Sequence, residues 1–363
     1  MTESRPFVKS GELFDFANAF CHTSETDSLF ESAMNEALKW HARHCADYNA
    51  FLSENGLIDF KQQYSSEFIP PVFYEILRDF NLISVPEKQV KFRLFSDNTA
   101  KNSCPLILDA RSHKRLLKIT EAIFGSLGLI NHSQKNNYIC LTANPQLRND
   151  NIDCFYNNLL TDLTAHRSVF YAVKQKGADF ELDLEIVMHK LIDFSQHPEP
   201  IRILGSAEHL RLICDYLIEK KVKLKLGSKS IVIFDEKEFH SDSDNYEIEL
   251  RNDVIKLLGI SDANIRKMFV CGFNGIPFIT CEAGHFHIPI YSKLEVVEPE
   301  TLLPVKAGSA GLVLLNTPYN TGFPITSVLT DYTAVIEENC PCGRHGKTFR
   351  LIGKMSSEKV EKM

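Results

Sequence analysis

Two compact groups of metal-ligand side chains near the end of the sequence restrict its possible folds more than any other feature. Cys281 and His287 lie in the segment Cys-Glu-Ala-Gly-His-Phe-His, and Cys340 and Cys342 lie in Cys-Pro-Cys-Gly-Arg. Thiolate and imidazole ligands suit zinc, and a set of four protein ligands is typical of a structural site. The sequence therefore predicts a structural zinc site that joins the two segments. The alternative is two thiols in a turn and a histidine on a strand.

The charge and the distribution of apolar residues limit the class of protein. The chain has 363 residues and a net charge of −7 at pH 7, which argues against a nucleic-acid-binding protein because phosphate backbones bind clustered lysine and arginine. The one basic run, from Lys220 to Lys225, alternates with apolar residues and predicts a solvated strand face or a protected sheet edge. No apolar stretch approaches the ~18 residues of a membrane span, and residues 1–10 lack a secretory leader. We therefore expect a soluble cytoplasmic protein with reduced cysteines.

Hydrophobic periodicity divides the chain into three segments. Residues 1–88 are predicted to be mainly helical, and Asn55-Gly56 marks a helix end. Residues 89–266 alternate between strands and helices, which is typical of a largely parallel sheet covered by helices. Residues 267–363 contain short strands separated by proline and glycine and predict a smaller β-rich subdomain with the zinc site. The elements predicted for the middle segment are strands at 91–95, 105–108, 138–141, 168–173 and 201–204, and helices at 112–129, 182–195 and 207–220.

The common short catalytic signatures do not occur in this sequence. There is no Gly-x-Gly-x-x-Gly, no Walker loop, no Gly-x-Ser-x-Gly and no His-Glu-x-x-His. Asp331 follows the apolar run 328–330, where the end of a strand could present a carboxylate to a sugar hydroxyl. An ordinary turn aspartate explains the same pattern equally well.

A series of segments occurs in the order found in one enzyme family. They are Ala37-Leu38 with His44-Cys45 and Tyr48, residues 69–70, 80–86 and 103–115, Gly205-Ser206-Ala207, Leu329-Thr330-Asp331, and residues 340–344 and 349–353. Their order and spacing resemble the LuxE-type acyl-protein synthetases and the related phenylacetate–CoA ligases of the adenylate-forming superfamily. The resemblance covers nearly the whole chain.

The resemblance implies both a fold and a reaction. The expected fold is α/β, the large N-terminal lobe of an adenylate-forming enzyme without the small mobile C-terminal domain. The expected reaction is activation of a fatty or aryl carboxylic acid by ATP with Mg²⁺, followed by transfer of the acyl group to a thiol of a partner protein or of CoA. By the same resemblance, Asp331 is expected to bind ribose, Ser96 and Thr99 to bind phosphate, and Arg350 to bind the adenylate.

The nucleotide-binding motifs depart from those of the family. The family's Ser-Ser-Gly-Thr-x-Gly phosphate loop corresponds to residues 96–101, in which both glycines are replaced. The motif whose glutamate holds the metal corresponds to residues 271–275, which contain no carboxylate, and the adenine-binding turn corresponds to residues 233–237, which contain no glycine. No cysteine follows Cys342, so the family's late acyl-accepting thiol has no counterpart.

Three functions remain compatible with these departures. The first is a ligase with unusual nucleotide contacts, in which Asp97 or Glu282 replaces the lost metal ligand. The second is a catalytically degenerate family member, a pseudoenzyme that acts as a partner subunit or an acyl-binding protein. The third is ATP-independent acyl transfer through Cys271 or Cys104, neither of which has a basic neighbour in the sequence to activate its thiol.

Overall fold

Secondary structure is assigned from a computed structural model that describes residues 7–57, 59–60, 62–80, 82–96, 104–177, 179–235 and 243–355. Its helices are α1 (Val8–Phe14), α2 (Ser24–His44), α3 (Ala46–Glu54), α4 (Tyr74–Asp79), α5 (Ala110–Ser126), α6 (Ile152–Asp162), α7 (Leu184–Ser195), α8 (Ala207–Glu219) and α9 (Ser243–Leu258). Its strands are β1 (Val72–Phe73), β2 (Val90–Leu94), β3 (Leu106–Asp109), β4 (Asn136–Ala143), β5 (His166–Lys176), β6 (Asp179–Leu182), β7 (Ile201–Ser206), β8 (Ile231–Asp235), β9 (Ile265–Val270), β10 (Pro277–Ile279), β11 (Phe286–His287), β12 (Lys293–Val297), β13 (Ala310–Asn316), β14 (Ser327–Glu337) and β15 (Thr348–Lys354).

Local sequence signals set several helix ends. Thr23 and Thr26 form a reciprocal capping box at the start of α2, which satisfies backbone N–H groups that have no partner within the helix. The helix α3 ends at Glu54, and Gly56 follows with φ of 85°, a conformation that glycine adopts at little cost. Ser206 caps α8, as the Gly205-Ser206 pair predicts. The helical character predicted for the N-terminal segment and the end of α3 are therefore confirmed.

The described residues within Met1–Leu127, Cys271–Ile276 and His285–Met363 form one compact unit. Its main sheet has the order β11-β15-β14-β13-β12 with antiparallel neighbours, and β1 adds to β14 in the parallel direction. The strands β2 and β3 form a separate antiparallel pair. Val297, Leu312 and Leu329 are buried together on this sheet. The short strands predicted after residue 267 correspond to β9, β10, β13, β14 and β15. The last three belong to this sheet, which also contains β11 and β12, two strands additional to the prediction.

Residues within Gly128–Val270 and Pro277–Gly284 form a second unit. Its sheet has the order β10-β9-β8-β7-β4-β5-β6, in which the five central strands are parallel and the two edge strands are antiparallel. The helices α7, α8 and α9 bury their apolar faces against one side of this sheet, where Ile139, Ile203 and Val232 belong to the core. The predicted parallel sheet covered by helices is therefore confirmed for this unit. The division at residues 88/89 and 266/267 remains a prediction.

Two local predictions are wrong. Residues 91–95 and 105–108 were expected in the parallel sheet, but β2 and β3 form a separate antiparallel pair, because strand periodicity does not specify the partner strand. The lysines from Lys220 to Lys225 are exposed but lie outside any strand. This segment is fixed instead by backbone hydrogen bonds from Leu224 to Leu257 and from Leu226 to Leu258 at the end of α9. The helices α6 and α9 were not predicted.

The hydropathy of the helices bears on membrane association. In the part of the chain that the structure describes, no helix is both long enough and apolar enough to cross a bilayer.

Candidate functional site

Asp331 lies in β14 between the half of the strand that pairs with β1 and the half that pairs with β15. The first half of β14 pairs with β1, with Val72 opposite Val328 and Phe73 opposite Leu329. The second half pairs with β15, beginning with Tyr332 opposite Lys354. Since β1 is parallel to β14, the residues that follow β1 run alongside Asp331. The Asp331 side chain is only 14% exposed.

Three charged or polar side chains surround this carboxylate. The Nζ of Lys354 lies 3.4 Å from Asp331 Oδ2 and 4.6 Å from the centre of the Tyr332 ring. Burial, followed by the negative charge of Asp331, raises the pKa of the Tyr74 hydroxyl. The same two causes raise the pKa of the Glu75 carboxyl. The neighbours of the Asp331 carboxylate are therefore the ion-pair partner Lys354, the aromatic residue Tyr74 and a second acid, Glu75.

The turn formed by residues 271–275 lies against Ser96. A Cβ placed on Gly272 would contact the Ser96 Cβ and Oγ at 3.6 Å, and the Phe273 ring stacks on Tyr74 with centroids 6.3 Å apart. Burial raises the pKa of the Cys271 thiol well above its ordinary value and raises that of Cys104 to about 12. Because the thiolate is the nucleophile, these shifts argue against acyl transfer through either cysteine.

Position 275 has no room for the family's metal-binding glutamate. Gly275 has φ of +78°, and a Cβ there would lie 2.6 Å from Leu106 Cδ2 and 2.9 Å from the Tyr319 hydroxyl oxygen. The preceding Asn274 is fully buried, and its backbone carbonyl accepts a hydrogen bond from that hydroxyl. This turn therefore does not fit a magnesium-binding role.

The structure describes only some of the other predicted nucleotide contacts. Thr99 and Asp97 lie outside the described residues, as do Glu236 and Lys237 of the predicted adenine turn. Arg350 lies opposite Val335, roughly 13 Å along β14 from Asp331 at the usual rise of a strand. Its Nε is 3.4 Å from Glu337 Oε1.

A second cluster forms at the closed end of the β14–β15 hairpin. Cys340 and Cys342 lie in the loop between these strands, and His287 lies on β11 opposite Thr348 of β15. The Sγ and imidazole nitrogen atoms of Cys281, His287, Cys340 and Cys342 all lie within 4.8 Å of one another. Cys342 Sγ is 3.2 Å from His287 Nε2. The four residues singled out in the sequence are therefore brought together.

The spacing of these four ligand atoms fits tetrahedral coordination of a metal ion. Zinc–ligand bonds of 2.0–2.3 Å place neighbouring ligand atoms ~3.8 Å apart. Two tight turns support the arrangement, with Gly284 N–H donating to Cys281 O at 3.0 Å and Gly343 N–H donating to Cys340 O at 3.2 Å. The Phe20 ring packs beside His287 with centroids 5.3 Å apart. This cluster could hold a metal ion.

Sequence reasoning missed Tyr74 and Glu75 as neighbours of Asp331. They follow a strand of only two residues, Val72–Phe73, which is too short for periodicity to detect. The distance along the chain to β14 also leaves no local signal.

A comparison with protein families identifies the chain. The family described as "Acyl-protein synthetase, LuxE" matches residues 11–362. The chain belongs to the LuxE acyl-protein synthetase family. Among curated proteins, the long-chain-fatty-acid–luciferin-component ligase of Aliivibrio fischeri is 24% identical over 185 residues, which span 49% of this chain and 47% of that protein. The match thus covers about half the length of this relative.

Solved structures agree with this assignment at the level of the fold. A 2-hydroxyisobutyryl-CoA ligase in complex with its adenylate and CoA superposes with a TM-score of 0.69 at 13% identity, covering 94% of this chain and 78% of that one. A long-chain-fatty-acid–CoA ligase from Archaeoglobus fulgidus gives 0.53 at 10% identity, covering 77% and 55%. The predicted family and the predicted α/β fold of adenylate-forming enzymes are confirmed.

Proposed function

We propose that this member of the LuxE family is an acid–thiol ligase. It converts a long-chain carboxylic acid and ATP into an acyl-adenylate and pyrophosphate, and then passes the acyl group to a thiol of a protein or of CoA. Family membership over residues 11–362 and the fold of adenylate-forming ligases support this proposal. The observation that carries it is the shielded carboxylate of Asp331 with a cation beside it.

The proposed chemistry assigns Asp331 to the ribose. A carboxylate accepts hydrogen bonds from the two ribose hydroxyls and thereby fixes the nucleotide. In the activation step, an oxygen of the substrate carboxylate attacks the α-phosphorus, the bond to the β-phosphate breaks, and pyrophosphate leaves with the electron pair. Fixing the two reactants in line is the principal catalytic contribution of such a site.

Lys354 is placed to serve the phosphate in this scheme. Its side chain is 47% exposed and its contact with Asp331 is a single ion pair at 3.4 Å. Because the lysine is largely solvated although Asp331 is shielded, a single contact of this length contributes on the order of 1 kcal/mol. Binding of a nucleotide can therefore separate the two groups at little cost, with Asp331 turning to the ribose hydroxyls and Lys354 to the phosphate.

Release of pyrophosphate from ATP tests the proposal directly. The purified protein, incubated with ATP, Mg²⁺ and a panel of fatty and aryl acids, should release pyrophosphate in proportion to acyl-adenylate formed. Asp331→Asn should reduce kcat/KM by about 100-fold, which corresponds to the loss of roughly 3 kcal/mol from charged hydrogen bonds. Lys306→Gln, which replaces an exposed lysine between β12 and β13, is the control and should leave the rate within about twofold. Equal losses in the two variants would contradict the assignment of Asp331.

A second function is favoured by one observation, the closed position at Gly275. If no other carboxylate holds the metal, the chain is a partner subunit or an acyl-binding protein that has lost ATP. Calorimetry separates the two functions. A non-enzymatic relative would show neither nucleotide binding nor pyrophosphate release, while still binding a fatty acid or a partner.

We further propose that Cys281, His287, Cys340 and Cys342 hold one structural zinc ion. The ion would join the turn at Cys281, β11 and the loop of the β14–β15 hairpin. Four protein ligands leave no open coordination position, so the zinc would contribute to stability and not to the reaction.

A further inference from the structure

Lys354, the cation beside Asp331, requires a second contact if it is to stay in place when a nucleotide binds. Its side chain is 47% exposed, and a lysine loses rotamer entropy when its ammonium is fixed at one position. The ion pair at 3.4 Å holds the ammonium only while the Asp331 carboxylate is not bound to ribose hydroxyls. In the proposed reaction Asp331 turns to the ribose, so the ion pair is lost at the step that uses the lysine. Another group must then hold the ammonium near the phosphate.

The ring of Tyr332 supplies such a contact. The Nζ of Lys354 lies 4.6 Å from the centre of this ring, within the distance at which a cation is attracted to the face of an aromatic side chain. Tyr332 is itself half-buried, which limits the movement of its ring. A carboxylate is a strong acceptor for ribose hydroxyls, so nucleotide binding removes the ion pair with Asp331 and leaves the contact with the ring.

A shift in strand register places the lysine opposite the ring. The pairing of β14 with β15 shifts by one residue between Thr333 and Ala334, and beyond this shift Tyr332 lies opposite Lys354. Continuation of the earlier register would have placed Tyr332 opposite Gly353, which has no side chain. Directly opposite residues of an antiparallel pair present their side chains on the same face of the sheet. Irregularities of this kind commonly redirect a side chain next to a functional site.

The backbone on both sides of this pair is fixed by hydrogen bonds. The Tyr332 N–H donates to the Thr330 Oγ1 at 3.1 Å, and that hydroxyl donates to the Val313 carbonyl oxygen at 3.0 Å. The Met355 N–H donates to the Asp331 carbonyl oxygen at 2.8 Å, directly after the lysine. Thr330 is only 4% exposed, so this network is shielded from water. The ring is therefore attached to a rigid part of the sheet, as a residue that positions another side chain must be.

We propose that Tyr332 is a positioning residue that holds the Lys354 ammonium at the α-phosphate while the acyl-adenylate forms. This inference rests on the proposed ligase function. When the ribose hydroxyls bind Asp331, Lys354 leaves the carboxylate but stays over the ring and donates to a phosphate oxygen. The bond from the substrate carboxylate to the α-phosphorus forms, the bond to the β-phosphate breaks, and pyrophosphate leaves with the electron pair. Tyr332 takes no part in these bond changes and acts only through the lysine.

A double-mutant cycle on the ring and the ammonium tests the proposal. Tyr332→Leu removes the aromatic face, Tyr332→Phe retains it, and Lys354→Met keeps the apolar stem of the lysine but removes its charge. The kcat/KM for ATP is measured by pyrophosphate release in each variant and in Tyr332→Leu combined with Lys354→Met. Tyr216→Leu is the matched control, because it removes a similar contact, in which Lys220 Nζ lies 5.3 Å from the centre of a tyrosine ring on α8.

The proposal predicts that the effect of the ring depends on the charge of the lysine. Tyr332→Leu should lower kcat/KM by about 10-fold, which lies within the range that a cation–π contact supplies. Lys354→Met should lower it by about 100-fold, as expected for loss of a charged hydrogen bond. In the Lys354→Met protein, the further change Tyr332→Leu should alter the rate by less than about twofold. Tyr332→Phe and Tyr216→Leu should also stay within about twofold of the unsubstituted protein.

Several results would overturn the positioning role. An equal loss on Tyr332→Leu with and without the lysine charge would assign the ring a structural role only. An equal loss in Tyr332→Phe and Tyr332→Leu would assign the effect to the hydroxyl and not to the aromatic face. An unchanged rate in Tyr332→Leu or in Lys354→Met would show that the pair does not act in the reaction. An unsubstituted protein that releases no pyrophosphate would refute the ligase function itself, and the positioning role with it.

Discussion

His41 provides a quantitative test of the packing in the first unit. This residue of α2 is completely buried, and its Nε2 lies 3.0 Å from the carbonyl oxygen of Asn320. Its Nδ1 lies 2.7 Å from the Ser84 Oγ. Since the Asn320 carbonyl only accepts, Nε2 must donate and Nδ1 accepts from the Ser84 hydroxyl. The neutral ring thus satisfies both of its nitrogens.

Burial lowers the pKa of His41 from 6.5 to about 3. As the pH falls below 6.5, the His41 side chain therefore becomes protonated in the unfolded chain but stays neutral in the folded state. Stability is fully present above this pH and declines on acidification towards the folded pKa. One pKa unit corresponds to about 1.4 kcal/mol, so the change from pH 7 to pH 5 should remove about 2 kcal/mol from the free energy of unfolding.

The variant His41→Gln removes the titration and keeps a donor for Asn320 and an acceptor for Ser84. Urea unfolding can be followed through Trp40, the single tryptophan, whose indole N–H donates to the Thr321 carbonyl at 2.8 Å. The free-energy difference between the two proteins should shift by about 2 kcal/mol in favour of the variant between pH 7 and pH 5. Other titrating groups are common to both proteins and cancel. A difference that stays constant within about 0.5 kcal/mol would refute the argument.

Two further predictions concern the metal cluster and the closed turn. Cys340→Ser should reduce bound zinc from about one equivalent to nearly none and lower the free energy of unfolding by about 4 kcal/mol or more. The control Cys21→Ser, which lies outside the cluster, should retain the metal. Elemental analysis measures the zinc and urea unfolding measures the stability, and full zinc content in Cys340→Ser would exclude the proposed site. Gly275→Ala should destabilise the fold by about 1–3 kcal/mol more than Gly308→Ala, because both positions have positive φ but only the Cβ at 275 meets Leu106 and Tyr319. Equal unfolding free energies for the two alanine variants would show that the turn can relax.

Much of the fold was accessible from local patterns. The strands β4, β5 and β7 of the seven-stranded sheet and the helices α7 and α8 followed from periodicity and from the Gly205-Ser206 cap, since each signal lies within one element. The antiparallel pairing of β2 with β3 could not be predicted in this way, because the residue pattern of a strand does not specify which strand it pairs with. The strand predicted for the lysines from Lys220 to Lys225 was wrong for a related reason. Alternation of charged and apolar residues also occurs in an extended segment that has no strand partner.

The candidate sites divide in the same way. The sequence alone determined the family, through motifs in a fixed order, and it singled out Cys281, His287, Cys340 and Cys342, because metal ligands are restricted to few residue types at short spacings. Only the tertiary structure decided that Tyr74 and Glu75 lie beside Asp331, that Arg350 lies away from it, and that position 275 is closed. These outcomes depend on the pairing of a two-residue strand with β14 and on the packing of Leu106 and Tyr319 against a turn distant in sequence. Such contacts are set by the register and volume of remote segments, which no local pattern records.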